Sequence, residues 1–298
     1  MRCALLRLVR FRVKGVERYG IVESQRIISL PALAASENVS LPKNMEDFIA
    51  NENAHKTAED LTKNANPDNI KAASSDLKEF QVLAPIAFPP KILCLGWNYF
   101  DHAAERKVEP PREPVVFMKP RTAILGPGDK IVKRPFVKEL DYEGELAVVV
   151  GKKAKDVPVA EALKYVFGYT IMNDVSARDF QFKDKQWTRG KGFDTFAPMG
   201  PNITMKEQLP DTGNLSVRTW VNGELRQNGN TRDMIFTVSQ IIYHLSRIMT
   251  LEPCDVISTG TPSGVAMGMK EPKWLKDGDT VKIVIEGIGT LENPIEER

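Results

Sequence analysis

The 298-residue chain reads as a mixed α+β protein in which strands dominate. Three observations lead there. From Phe88 onward, short β-rich runs recur between Pro and Gly; only one long stretch has helical periodicity; and helices do not alternate regularly with strands, which argues against a doubly wound sheet.

Taken in order, residues 4–11, 19–23 and 26–30 read as short strands. The first carries Arg7 and Arg10, and Arg2, Arg7, Arg10, Arg12 and Lys14 all precede the first acid, Glu17. Two readings compete for this basic start: a remnant of a mitochondrial transit peptide, or an edge strand with Leu6, Val9, Phe11 and Val13 between the arginines. The strand is favoured, because a transit peptide is helical, amphipathic and richer in Ser. A basic arm docking on an anionic surface is a third reading, resting on five charges. A polar helical stretch at 45–61 and an Asn/Lys/Asp/Ser-rich linker to about Lys78 complete a small N-terminal domain, residues 1–80. Residues 81–298 form the main domain, with strands expected at 92–95, 115–118, 145–150, 169–172, 217–221, 256–259 and 281–285. Asn222-Gly223 signals a hairpin turn. In residues 234–249, Ile235, Val238, Ile241, Ile242, Leu245 and Met249 share one helical face.

Composition narrows the function. Hydrophobic residues make up 42% of the chain, ample for a buried core, while 41 basic against 39 acidic residues leave a net charge of only +2. The basic excess of a nucleic-acid binder is missing, so no nucleic-acid partner is expected. No apolar run approaches 18 residues, so no membrane span is expected either. Cys3, Cys94 and Cys254 are odd in number and far apart, which points to a reducing compartment: the cytoplasm or, alternatively, the mitochondrial matrix. No phosphate-binding glycine loop, HExxH or GxSxG motif occurs, and His55, His102 and His244 are too scattered for an imidazole zinc site.

What remains is a set of carboxylates. In LDYEGELAVVV, residues 140–150, Asp141, Glu143 and Glu145 alternate at period two, which on a strand sends them to one face about 6.8 Å apart. Such a face repels itself and is costly to bury, so it is either exposed to solvent or neutralised by a cation. A fourth acid, Asp174, ends the apolar run Ile171-Met172; it reads as a helix N-cap or as a further ligand. Oxygen ligands without His select Mg²⁺ or Mn²⁺ over zinc. His102 and Glu105 stand one helical turn apart, either a plain surface pair or a carboxylate-held general base. Lys191 lies between glycines, and Ser258-Thr259-Gly260-Thr261 offers hydroxyls and N–H groups after a strand.

Together these segments resemble the fumarylacetoacetate hydrolase family over about residues 80–295. GWNYFDH, EPVVFMKP, LDYEGELAVVVGK, GYTIMNDVSARD, GKGFDTFAPMGP, VNGELRQ, LEPCDVISTGTPSGV and GIGTLEN follow the family's order and spacing. Lys185-Gln186-Trp187 and the insert Pro272-Lys273-Trp274-Leu275 make the chain most similar to the domain-containing type 2 group. The resemblance implies a mixed β-sandwich roll, a homodimer, and Mg²⁺ or Mn²⁺ (Ca²⁺ as a crystal substitute) on Glu143, Glu145 and Asp174. It implies His102, Glu105 and Lys191 as catalytic residues, with Arg178, Gln181, Thr259, Gly260 and Thr261 binding substrate. Trp97 departs from a family position that is often basic or aliphatic, which bears on substrate preference. The implied substrates are small 2-oxo acids, with the metal stabilising an enolate; the reaction is C–C hydrolysis or oxaloacetate keto–enol tautomerisation. Oxaloacetate decarboxylation and a catalytically silent metal-binding regulator are the alternatives.

Overall fold

A computed structural model describes residues 7–23, 26–76, 79–183 and 185–298. Its spine is a sheet that runs, edge to edge, through Ser74–Asp76, Arg26–Ser29, Val16–Glu23, Arg7–Val13, Ala197–Met205, Val166–Asn173, Gly144–Val150, Val256–Ser258, Ile92–Gly96 and Val115–Lys119. Gln81–Leu83 and Ile124–Leu125 join it off this path. A second sheet orders Glu224–Asn230, Ser216–Val221, Thr280–Ile285, Gly289–Glu297 and Ile131–Lys133. Most pairings are antiparallel; Val256–Ser258 beside Ile92–Gly96 is a parallel exception.

The strand Gly144–Val150 shows why residues 146–150 are continuously apolar. Every residue of this central strand is buried. Leu146, Val148 and Val150 enter one hydrophobic core, and Ala147 and Val149 enter the other. A sheet covered on both faces leaves no position for a polar side chain until the strand ends. Each large apolar side chain so buried contributes about 1.5–3 kcal/mol.

The first core takes in the five-stranded sheet and the helix Val238–Ile248, through Val238, Ile241, Ile242 and Leu245. That helix is shorter than the 234–249 expected from periodicity. Thr237 and Gln240 form a capping box that starts it, leaving Met234 and Ile235 outside. The second core joins Leu8, Tyr19, Leu33 and Phe48 from the N-terminal region to Met172, Met199 and Val256. Arg7–Val13 pairs with Ala197–Met205, so the sheet crosses the expected boundary at residue 80 without a gap.

Other expectations change in detail. The basic N-terminal segment is a strand, with Arg10 and Arg12 on Glu17 at 2.5 and 2.6 Å, but it lies inside the sheet rather than at its edge. Arg2, Cys3 and the first part of the strand expected at 4–11 lie outside the described residues. The helical stretch 45–61 is two helices, Met45–Ile49 and Glu52–Asn64, because Asn51 turns its carbonyl oxygen onto Asn53 N and Ala54 N as a new N-cap. The 62–78 segment is no simple linker: it contains the helix Pro67–Ala72 and the strand Ser74–Asp76. Asn222-Gly223 turns a hairpin, both residues at positive φ (51° and 82°), as a type I′ turn requires. Ala197–Met205 had no strand signal because it carries Pro198 and Pro201. Pro201 is tolerated where the pairing slips between Tyr169 and Ile171.

Candidate metal and substrate site

The carboxylates do not share one uninterrupted strand. Leu140–Asp141 pairs with Ser176–Ala177, and the central strand begins only at Gly144. Asp141 therefore stands outside the triad: it accepts from Arg178 Nε at 2.9 Å and from the backbone N–H groups of Ala266 and Met267 at 2.8 and 3.1 Å. The antiparallel pairing of Gly144 with Asn173 brings Asp174 alongside, its N–H donating to Glu143 O at 2.9 Å. Glu143, Glu145 and Asp174 are all buried and present oxygen atoms within 4.8 Å of one another. Asp174 is thus no N-cap, and the carboxylate face is not an exposed edge.

Three buried cations surround the cluster. Lys191 Nζ stands 2.8 Å from both Glu143 Oε2 and Asp174 Oδ2. Arg178 donates to Glu143 Oε1 at 2.6 Å and to Gln181 Oε1 at 2.9 Å. Lys119 Nζ, 2.7 Å from Asp174 Oδ1, also donates to the carbonyls of Val175, Lys191 and Phe196 at 3.0, 2.5 and 2.7 Å. Lys119 went unassigned in the sequence reading, although its signal was there: a lone Lys closing the apolar run Val115–Met118 ahead of Pro120.

These contacts pull the two glutamates in opposite directions. Burial raises the Glu143 carboxyl, but Lys191 and Arg178 outweigh it and hold the group far below the ordinary range. Glu145 has no such cation. Burial, followed by the negative charges of Asp174 and Glu143, drives its carboxyl well above the ordinary range. Its Oε2 accepts from Ser258 Oγ at 2.5 Å and Gly260 N at 2.9 Å, while Oε1 is buried without a hydrogen-bond partner. Four buried carboxylates (Asp141, Glu143, Glu145, Asp174) face three buried cations, so a proton on Glu145 makes the set neutral. An oxygen-only donor set with one orphaned carboxylate oxygen fits a hard divalent cation held by Glu143, Glu145 and Asp174.

His102 lies in the short helix Phe100–Glu105, and its Nδ1 is 3.2 Å from Glu105 Oε2. Two latches tie this helix to the loop after Val256–Ser258: Asp101 accepts from Ser263 Oγ at 2.6 Å, and Glu105 Oε1 accepts from Gly264 N at 3.1 Å. Trp97 stacks on the imidazole, centroids 4.9 Å apart and planes 24° off parallel. His102, Arg178, Gln181, Lys191 and Thr261 line one pocket with Glu143. Thr259 and Gly260, expected to meet substrate, each make a hydrogen bond within the protein. The Thr259 hydroxyl donates to Leu146 O at 2.9 Å, and Gly260 N holds Glu145. Asn98 braces the same turn, donating to Thr259 O at 2.7 Å.

A strand-rich α+β scaffold that buries an acid cluster suited to a divalent cation, beneath a latched His–Glu helix, defines the class of protein. The chain belongs to the fumarylacetoacetate hydrolase family: the model for "Fumarylacetoacetate (FAA) hydrolase C-terminal" matches residues 91–296. It is 41% identical to the fumarylacetoacetate hydrolase domain-containing protein 2 homolog of Dictyostelium discoideum, over 94% of this chain and 92% of that one. It is 38% identical to the protein named mitochondrial oxaloacetate tautomerase Fahd2a in Rattus norvegicus, over 98% and 92%. The fumarylacetoacetate hydrolase structure from Exiguobacterium antarcticum superposes with a TM-score of 0.83 at 37% identity, covering 98% of this chain and all of that one. No helix among the described residues is long and apolar enough to cross a membrane.

Proposed function

We propose that this chain is a Mg²⁺- or Mn²⁺-dependent enzyme of small 2-oxo acids, and that keto–enol interconversion of oxaloacetate is the reaction its site supports best. The observation that carries the reading is the convergence of His102, Glu143, Arg178 and Lys191 on one pocket, with oxygens of Glu145 and Asp174 within 4.8 Å of Glu143. A divalent cation bound there supplies a Lewis acid that stabilises negative charge on a substrate oxygen. The chain's own residues do the rest. With Oε1 of Gln181 taken by Arg178, the donor end of the amide is left for an anionic ligand. Lys191, now paired with two of the carboxylates, is placed to pair with a carboxylate or enolate oxygen instead. The Glu105 carboxylate accepts from Nδ1–H, so Nε2 is the basic atom; it takes a proton from the carbon next to the carbonyl and returns it to oxygen. Tautomerisation asks nothing more than this shuttle, and the rat relative's name supports it.

C–C hydrolysis is the second reading, supported by the same dyad: an imidazole oriented by Glu105 also activates water for attack on a second carbonyl. NMR of the purified protein with Mg²⁺ or Mn²⁺ and, separately, oxaloacetate, acetylpyruvate and fumarylacetoacetate distinguishes them. Equilibration of oxaloacetate well above the buffer rate, without fragments, is expected. Fragments from the acylpyruvates with oxaloacetate at the buffer rate would establish hydrolysis instead, and full turnover after EDTA stripping would remove the metal from the account.

A further inference from the structure

We propose that Trp97 and Trp187 set the chain length this site accepts, admitting 2-oxo acids no longer than oxaloacetate and shutting out acylpyruvates with bulky acyl groups. The inference rests on the reading above that a 2-oxo acid binds beside Glu143, Glu145 and Asp174.

The pocket has two kinds of wall. Glu143, Arg178, Gln181 and Lys191 make the polar one. The other is aromatic: Trp97 and Trp187 meet edge to face, centroids 5.9 Å apart and planes at 83°. Both are half-buried and line the pocket. Neither ring is free to swing aside. Trp187 lies directly on the backbone of Gly96, where a Cβ would come within 2.0 Å of its Cζ3, and Phe117 backs it edge-on at 5.5 Å. Trp97 is held by its stack on His102 and by a left-handed backbone, φ 56°, that few side chains adopt.

Charge points the same way. The two cations that line the pocket, Arg178 and Lys191, both lie in the polar wall. Two large flat rings in the other wall stand in the way of a long chain and leave a short one untouched.

The test is calorimetric titration of the Mn²⁺-loaded protein with oxalate, pyruvate and benzoylpyruvate, in wild type, Trp187→Ala, Trp187→Phe and Trp97→Ala. Oxalate has no tail and reports the polar wall alone. Trp187→Ala should bind benzoylpyruvate about tenfold or more tightly than wild type, the scale of a changed apolar pocket, with oxalate and pyruvate unchanged. Trp187→Phe should gain less, and Trp97→Ala should gain with it, melting temperatures confirming that each variant is folded. Benzoylpyruvate binding that is equal across wild type and all three variants overturns the proposal. Oxalate and pyruvate failing to bind wild type overturns the 2-oxo acid reading itself, and the chain-length inference falls with it.

Discussion

Replacing Lys119 by Met removes a charge from the middle of the site while keeping a long, flexible side chain in its place. The ammonium is 3% exposed and touches four oxygens on three separate segments: Asp174 Oδ1 and the carbonyls of Val175, Lys191 and Phe196. Removing one partner of a buried ion pair typically costs about 3–5 kcal/mol, because the remaining charge stays buried and unpaired. At a few degrees per kcal/mol for a chain of this size, Lys119→Met should lower the melting temperature by roughly 5–15 °C. Scanning calorimetry in EDTA, so that no metal ion adds to the charge of Lys191 beside Asp174, reads the effect. Lys119→Arg should not rescue it, since a planar fork cannot reproduce a point charge shared among four oxygens. Asp174→Asn combined with Lys119→Met should lose less than the sum of the two, as interacting partners do. A loss below about 1 kcal/mol, the worth of a surface pair, would refute the claim that this ammonium holds the site together.

Glu145, with its carboxyl raised by burial and two neighbouring acids, should make metal binding pH-dependent. The metal-free protein keeps this group's contribution at low pH and loses stability as pH rises from its ordinary 4.5 through the raised value; added Mn²⁺ should release a proton and abolish that loss, and a flat metal affinity across pH 5–8 would contradict it. His102→Ala should reduce hydrolysis of any acylpyruvate by about 10²–10⁴-fold and oxaloacetate decarboxylation far less, with Mn²⁺ affinity unchanged in titration; lost metal affinity would make His102 a ligand. Gly268→Ala places a Cβ 2.0 Å from the Glu105 carboxyl carbon, so Glu105 must leave His102. It should cost about tenfold or more in turnover, matching Glu105→Ala at an unchanged melting temperature, and wild-type kinetics would show that Glu105 does not orient the imidazole.

Local pattern was legible in the chain because side-chain periodicity is a local property. The apolar run after Glu145, the Asn222-Gly223 turn and the His102–Glu105 pair one helical turn apart all appear where their spacing places them. Family motifs marked Glu143, Glu145, Asp174, Arg178 and Lys191, and the fold brings these five together. What spacing left open was the pairing of charges across the molecule. Asp141 shares the period of Glu143 and Glu145, yet a break before Gly144 assigns it to Arg178. Thr259 and Gly260 sit beside Thr261 in sequence, and only the fold shows that they reach Leu146 and Glu145. Lys119 is read as an ordinary strand end until the segments carrying Asp174 and Lys191 close around it. Ionic partners are chosen by distance in a low-dielectric interior, over separations of 17 to 55 residues here, and only the packed sheet defines those distances.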